Sequence, residues 1–288
     1  MSCKSLADYH IHTAVSIDCQ ETLPAICESA SALGLTEVAI TNHLMVTNPD
    51  YCIQEYDLIA LNRQILQMTE RFPGIKIRLG LEVDYLKDKL EIIEWRIQKY
   101  ERVIGRPFDL ILGSVHVLRG IHFSSSVHAP ALFADCRPVE VFREYFRTME
   151  DAVRCGMFSI MAHPDLIKKY TYDLYDPVPF SEFAEEAEGF VMALVQNGVG
   201  LELNTKGLDC PVREIYPSSE LLSLYINRTG QYGSRPIITL GSDAHQAGNV
   251  GRKFDKAQLF LSDAGGTGFA GWQEGQVLFD KFAVSRSV

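Results

Sequence analysis

No CxxC pair occurs among the seven cysteines, Cys3, Cys19, Cys27, Cys52, Cys136, Cys155 and Cys210. An odd, scattered set argues against a disulfide framework and fits reduced thiols in a cytoplasmic enzyme, nearly all of them small buried hydrophobes. No stretch approaches the ~20 apolar residues that cross a bilayer. The opening Met1-Ser2-Cys3-Lys4-Ser5-Leu6 also lacks the apolar segment of a secretion signal. Runs of Lys or Arg are missing, and the formal net charge is −10. That balance argues against nucleic acid and against a membrane surface as partners. It leaves room for a small phosphorylated substrate, because bound divalent cations reverse the field inside a site. Neither a GKS/T nor a GxGxxG opening a helix is present, so the glycines of 262–271 read as a flexible loop. Oligomeric state leaves no signature.

What the 288 residues do contain is an alternation, within an ordinary hydrophobic fraction of 47% and charged fraction of 22%. Short apolar runs predict strands at 6–10, 36–41, 76–82, 109–113, 158–162, 199–204 and 236–241, with 257–261 as a possible eighth. Helical patterns fall between them at 22–33, 53–71, 88–104, 138–155, 181–197 and 217–228, and a terminal helix is expected at 272–283. Gly34, Gly105, Gly156 and Gly198 each follow a helical stretch, as C-terminal stops do. Such alternation implies a parallel sheet of the α/β class, closed or doubly wound. No linker divides the chain, so one domain over 1–288 is expected.

Histidines and acids gather where these strands end. The positions are His10-Ile11-His12, Thr41-Asn42-His43, Glu82, Ser114-Val115-His116, Ala162-His163-Pro164 and Ser242-Asp243-Ala244-His245, with Asp18 in the loop after the first strand. Strand C-termini of such folds converge on one mouth, and ligands drawn from nearly every strand favour closure into a barrel. Two histidines separated by one residue point the same way from a strand. An isolated pair is weak evidence of a metal; its recurrence at further strand ends is what argues for a hydrolytic metal centre. Glu82 and Asp243 read as carboxylate ligands, Asp84 and Asp165 as outer partners that orient them. His122 and His128, in the loop after His116, read as surface or substrate-lip residues.

With these residues in place the chain resembles a known family over roughly 6–254. His10-x-His12, Asp18, His43, Gly80-Leu81-Glu82-Val83-Asp84, Gly113-Ser114-Val115-His116, His163 and Gly241-Ser242-Asp243-Ala244-His245 are similar to the PHP (polymerase and histidinol phosphatase) superfamily. Leu201-Glu202-Leu203-Asn204-Thr205-Lys206-Gly207-Leu208, Glu214-Ile215-Tyr216-Pro217-Ser218 and Val250-Gly251 resemble its histidinol-phosphatase branch. The resemblance implies a distorted (β/α)7 barrel holding two to three divalent ions, for which zinc, iron and manganese all suit the donor set. It implies a first ion on His10, His12, Glu82 and Asp243, a second on Glu82, His116 and His163, and a third on Asp18, His43 and His245.

The implied reaction is hydrolysis of L-histidinol phosphate to L-histidinol and phosphate, in histidine biosynthesis, by a metal-bound hydroxide attacking phosphorus directly. Asp243 or His245 would move the proton. Lys168, Lys169, Lys206, Arg213 and Arg252 fall in loops beyond strand ends as candidate phosphate partners; Lys168, Arg213, Lys206 and Arg252 are the expected substrate-binding cations, with Lys168 and Arg213 the first choices. Asp165, Glu202 and Asp209 are candidates to meet the substrate amine. Two departures from the family pattern stand out: lysines or Asp209-Cys210 where arginines would be expected, and an unfamiliar lip at 120–128. A PHP phosphoesterase acting on a small nucleotide and a non-catalytic, metal-stabilised module are the alternatives. An amidohydrolase would need a mid-barrel bridging lysine, and Glu82 and His116 stand there instead.

Overall fold

The computed structural model describes residues 6–48, 50, 52–273 and 276–283. In chain order the elements are β1 (Ala7–Ile11), α1 (Leu23–Leu33), β2 (Glu37–Ile40), β3 (His43–Leu44), α2 (Glu55–Arg71), β4 (Lys76–Asp84), α3 (Leu90–Ile104) and β5 (Leu110–Ser114). Then come β6 (Val117–Leu118), β7 (Ile121–His122), α4 (Ala129–Phe133), α5 (Pro138–Arg154), β8 (Ile160–Met161), α6 (Ala184–Asn197) and β9 (Gly200–Asn204). The chain continues with α7 (Ser219–Gln231), β10 (Ile238–Gly241), α8 (Phe254–Asp263), β11 (Gly268–Gln273) and β12 (Gln276–Ala283).

The strands β1-β2-β4-β5-β8-β9-β10 pair in that order, all parallel, with β3 continuing beside β4. Val38-Ala39-Ile40 is buried throughout, the continuous apolar reading of a strand covered on both faces, and Leu201 to Asn204 are buried as well although Glu202 and Asn204 are polar. Helices begin and end where the local chemistry dictates. Thr22 accepts from the Ala25 N–H to cap α1, and Gly34, Gly105 and Gly198 take left-handed conformations just past α1, α3 and α6.

The sheet closes nearly into a barrel at the seam between β1 and β10. Backbone pairing there consists of the bridge Ile11–Ala244, with His12 N–H donating to Ala244 O at 2.9 Å. A side chain does the rest. Asp8, fully buried, accepts from Ser242 N–H at 3.0 Å and His10 N–H at 3.3 Å through Oδ1, and from Gly251 N–H at 2.9 Å through Oδ2. One carboxylate thus replaces the ladder bonds the seam lacks. Burial pushes its pKa up to about 6 against those three donors.

Two sequence expectations fail at the C-terminal end. Residues 257–261 lie within α8, not an eighth strand; Phe254, Ala257 and Leu261 are its buried face at helical spacing. A five-residue apolar run is too short to reveal which period it follows. The terminal helix expected at 272–283 is instead the antiparallel hairpin β11–β12, whose first strand starts inside the 262–271 glycine stretch. Tertiary contacts decide this. Trp272 packs edge-on against Tyr9 with ring centroids 5.7 Å apart, its N–H donates to Tyr9 Oη, and its carbonyl accepts from Arg78. With β11 also against β10, the hairpin covers the seam.

Asp8→Asn keeps the shape of the side chain but turns an amide donor toward one of three buried N–H groups. The expected cost is about 1–3 kcal/mol, read as a thermal midpoint several degrees lower by calorimetry. An unchanged midpoint would mean that the seam does not depend on this carboxylate.

Candidate metal centre

The side chains at the strand ends converge on Glu82. This carboxylate, 2% exposed at the end of β4, holds two groups of imidazoles on its two oxygens. On Oε2 stand His10 Nε2 at 3.2 Å, His12 Nε2 at 3.4 Å and His43 Nδ1 at 3.0 Å. On Oε1 stand His163 Nε2 at 2.9 Å and His116 Nε2 at 3.5 Å. Asp243 Oδ1 lies 3.5 Å from His12 Nε2 and 4.0 Å from His10 Nε2. Asp18 Oδ2 bridges His43 Nε2 at 3.3 Å and His245 Nε2 at 3.2 Å. All nine residues expected as ligands therefore meet at one mouth.

Four overlapping triplets have ligand atoms within 4.8 Å of one another: His10-His12-Glu82, Glu82-His116-His163, His10-His163-Asp243 and His12-His43-His245. The first holds three of the four residues expected around the first ion, Asp243 falling in another triplet, and the second holds the three expected around the second; Asp18, expected on the third, is in none of them. The donor set fits divalent ions on a direct observation. His10 Nε2 and His12 Nε2 are buried without a hydrogen-bond partner, although Glu82 Oε2 is close. A buried ring nitrogen left without a partner is costly, and a bound cation removes the cost.

Outer partners aim these rings. His10 Nδ1–H donates to Glu202 Oε1 at 2.8 Å, which turns its Nε2 inward; the His116 backbone N–H donates to Asp84 Oδ1 at 3.0 Å, with the ring's Nδ1 3.1 Å from the same oxygen. Glu202 Oε2 also accepts from His163 N–H at 2.6 Å. Sequence reasoning offered Glu202 to the substrate amine, and the structure buries it beneath His10 instead. A charged residue alternating with apolar ones inside a buried strand, Leu201-Glu202-Leu203, was the signal for this. Asp84 takes the orienting role expected of it. Asp165 does not, since it accepts from Ser218 N–H and pairs with Lys168 rather than with a ligand. His163 and Asp243 adopt positive φ, 28° and 49°, a backbone strain concentrated at this mouth.

The metal-free electrostatics are those of carboxylates seeking positive charge. Burial opposes a proton on His43, but Glu82 and Asp18 outweigh it and hold the ring up at about 10. Burial likewise opposes His10, and Glu202 and Glu82 carry it well above the usual imidazole range. Burial raises Glu82 and Asp243, yet the imidazoles around the first and Lys206 beside the second hold both well below the carboxylate range. Burial drives His12 down, with His43 and His245 adding to the effect.

A cavity of about 970 Å³ opens over this face, lined among others by His43, Glu82, His116, His163, His122, Lys169 and Lys206. Lys206 Nζ lies 2.9 Å from Asp243 Oδ1 and 3.3 Å from His245 Nδ1. It also lines a second cleft of about 870 Å³ on its other side, together with Arg252. The remaining expected cations are placed differently. Lys168 does not line the cavity; its buried amine is held by Asp165, Glu214 and the Ile215 carbonyl. Arg213 lines neither cleft, and Arg252 pairs with Asp209 at 2.9 Å. The neighbour of Lys168, Lys169, takes the cavity position, with its amine 2.6 Å from Ser124 O.

Two outcomes follow from this geometry. Metal entry must displace the protons on His10 and His43, which sit above neutrality in the metal-free protein. Apparent affinity should therefore rise with pH, and zinc addition should acidify a weakly buffered solution; no proton release would contradict the electrostatic assignment. Gly241 leaves no room for a side chain: an added Cβ would lie 1.7 Å from Glu202 Oε1 and 2.8 Å from His10 Cβ. Gly241→Ala should displace Glu202 and weaken metal retention about 10–100-fold, measured by chelator competition.

The model of the PHP domain matches residues 8–206. The chain is 29% identical over 269 residues to a "Probable histidinol-phosphatase" of Deinococcus radiodurans, covering 91% of this chain and 94% of that one. It is 28% identical to a histidinol-phosphatase of Lactococcus lactis, over 90% and 91% of the two chains. A crystal structure of histidinol phosphate phosphatase from Lactococcus lactis, complexed with zinc, L-histidinol and phosphate, superposes with a TM-score of 0.77. That pair is 25% identical and covers 95% of this chain and 98% of the other. On its matched sequence and strand-end site together, the chain belongs to the PHP domain family.

Proposed function

We propose that the protein is a metal-dependent phosphomonoesterase that hydrolyses L-histidinol phosphate to L-histidinol and phosphate. The observation that carries this reading is the convergence of the nine expected ligand residues, Glu82 at their centre, on one mouth, with Lys169 and Lys206 on the wall of the same cavity. The Lactococcus lactis structure, with zinc, L-histidinol and phosphate, supports it. On this reading the enzyme works in the cytoplasm on a small substrate.

His10, His12, Glu82 and Asp243 would hold one divalent ion, Glu82, His116 and His163 a second, and Asp18, His43 and His245 a third; zinc, iron and manganese all suit these donors. When bound, such ions supply charge neutralisation at the phosphoryl oxygens and an acidified water as nucleophile. Glu202 would keep His10 in the tautomer that presents Nε2, and Asp84 anchors His116 through its backbone N–H. Lys206, within 2.9 Å of Asp243, is placed to donate to a phosphoryl oxygen, and Lys169 is the second amine facing the ester. Asp243 and His245 accept the proton lost by the attacking water and relay one to the departing alkoxide.

A second reading, a PHP phosphoesterase acting on a bulkier small ester such as a nucleotide, is favoured by one observation. The cavity of about 970 Å³ lies at the roomy end of small-molecule sites.

Phosphate release separates the two. With zinc- or manganese-loaded protein, kcat/KM for L-histidinol phosphate should exceed that for p-nitrophenyl phosphate and for a nucleoside monophosphate by at least about tenfold. Asp243→Asn should lower kcat about 100-fold or more. Equal rates on all three esters discard the named substrate, and full activity of the variant at full metal occupancy removes Asp243 from the chemistry.

A further inference from the structure

The unfamiliar lip at 120–128 is a built strap. After His116 the chain forms the hairpin β6–β7, pairing Val117 with His122, and turns at Arg119-Gly120 with φ of 53° and 74°. Both central residues are left-handed, as a two-residue I′ turn demands. Arg119 grips Glu144 of α5 through two bonds of 2.8 and 2.6 Å. The next residue, Phe123, is 1% exposed, packs edge-on against Tyr145 and donates its N–H to His116 O at 3.0 Å. Ser124 O accepts from both Lys169 Nζ and Tyr170 Oη. These anchors fix His122, half-buried on the cavity wall, with its ring centroid 6.0 Å from that of the ligand His116.

Among the described residues this imidazole makes no hydrogen bond outside the strap, and its ring stands edge-on to His116. Its hydrogen bond, Nε2 to Ser124 Oγ at 3.2 Å, stays within the strap and ties no two elements together. A phosphate ester seated against Glu82, His116 and His163 has buried protein on its metal side and must extend its leaving group into the cavity, where this strap forms one wall. We propose that His122 is a specificity-determining residue, held in advance by the strap to hydrogen-bond a nitrogen of the leaving group. The inference rests on the phosphomonoesterase reading above and narrows it to alcohols bearing an amine or azole. Depending on its tautomer the ring donates or accepts, so it serves either nitrogen. Because the strap is ordered by its own anchors, little entropy is lost on binding.

The test compares wild type, His122→Ala and His122→Asn, all zinc-loaded, on L-histidinol phosphate and p-nitrophenyl phosphate. L-histidinol binding by calorimetry is the readout independent of turnover. In His122→Ala, kcat/KM for histidinol phosphate should fall about tenfold more than for p-nitrophenyl phosphate, mostly in KM, and L-histidinol should bind about tenfold more weakly. His122→Asn, which keeps a donor and an acceptor, should recover part of both. Equal losses on the two esters would make His122 a structural residue and overturn the inference. So would wild-type preference retained in His122→Ala. A wild-type enzyme without preference between the esters overturns the histidinol-phosphate reading, and the inference falls with it.

Discussion

One buried carboxylate sets the terms for the whole mouth. Glu82 is surrounded by five imidazoles, two on one oxygen and three on the other. A charge so deep is tolerated only with compensating positive charge and oriented partners. The metal-free protein supplies it with protons on His10 and His43. The strand ends that deliver those rings come from β1, β3, β5 and β8, so the requirement of one side chain dictates the convergence of half the sheet. Around this centre Glu202 and Asp84 form an outer layer: Glu202 accepts from the His10 ring and the His163 N–H, and Asp84 accepts from the His116 N–H through Oδ1 alone.

Two of the lysines on the cavity wall, Lys206 and Lys169, have different partners. Lys206 stands against Asp243 and His245, close to where a phosphoryl group would sit. Lys169 is shared between the cavity and the carbonyl of Ser124. On the proposed function, an anion bound at Lys169 would also touch the strap, so that substrate charge and substrate shape would be sensed through one side chain.

Much of this was legible in the sequence. The seven strands β1, β2, β4, β5, β8, β9 and β10 and the helices α1, α2, α3, α5, α6 and α7 announced themselves by period and by glycine stops, whereas β3, β6, β7 and α4 are too short to show a period. The nine positions that meet at the mouth were legible because histidine and acid recur at the ends of apolar runs, a pattern that local propensity does not produce. Where the reading failed, the deciding information was tertiary. The run 257–261 has the same composition as a strand but lies in α8, and 272–283 forms a hairpin because Tyr9, Arg78 and β10 offer Trp272 its partners. Lys168 and Lys169 are adjacent in sequence, and only the 3₁₀ turn over Leu166–Tyr170 determines that the first is buried on Asp165 while the second faces the cavity. Glu202 was visible as an anomaly, an acid in an apolar strand, but its partner His10 is remote in the chain.

The seam between β1 and β10 carries a consequence beyond architecture. The residues on its two sides, His10 and His12 on one and Asp243 on the other, are also those that would grip a single ion. A cation there acts as a clasp across the first and last strands of the sheet, closing a loop that spans most of the chain. Chain closure of that length is entropically expensive when made by weak contacts and is worth most when made by a strong one. On the proposed reading, occupancy of the mouth and stiffness of the barrel wall would be linked. The Ile11–Ala244 bridge and the Asp8 carboxylate already hold that line without an ion, so a cation there would tighten a seam that is closed rather than close one that is open.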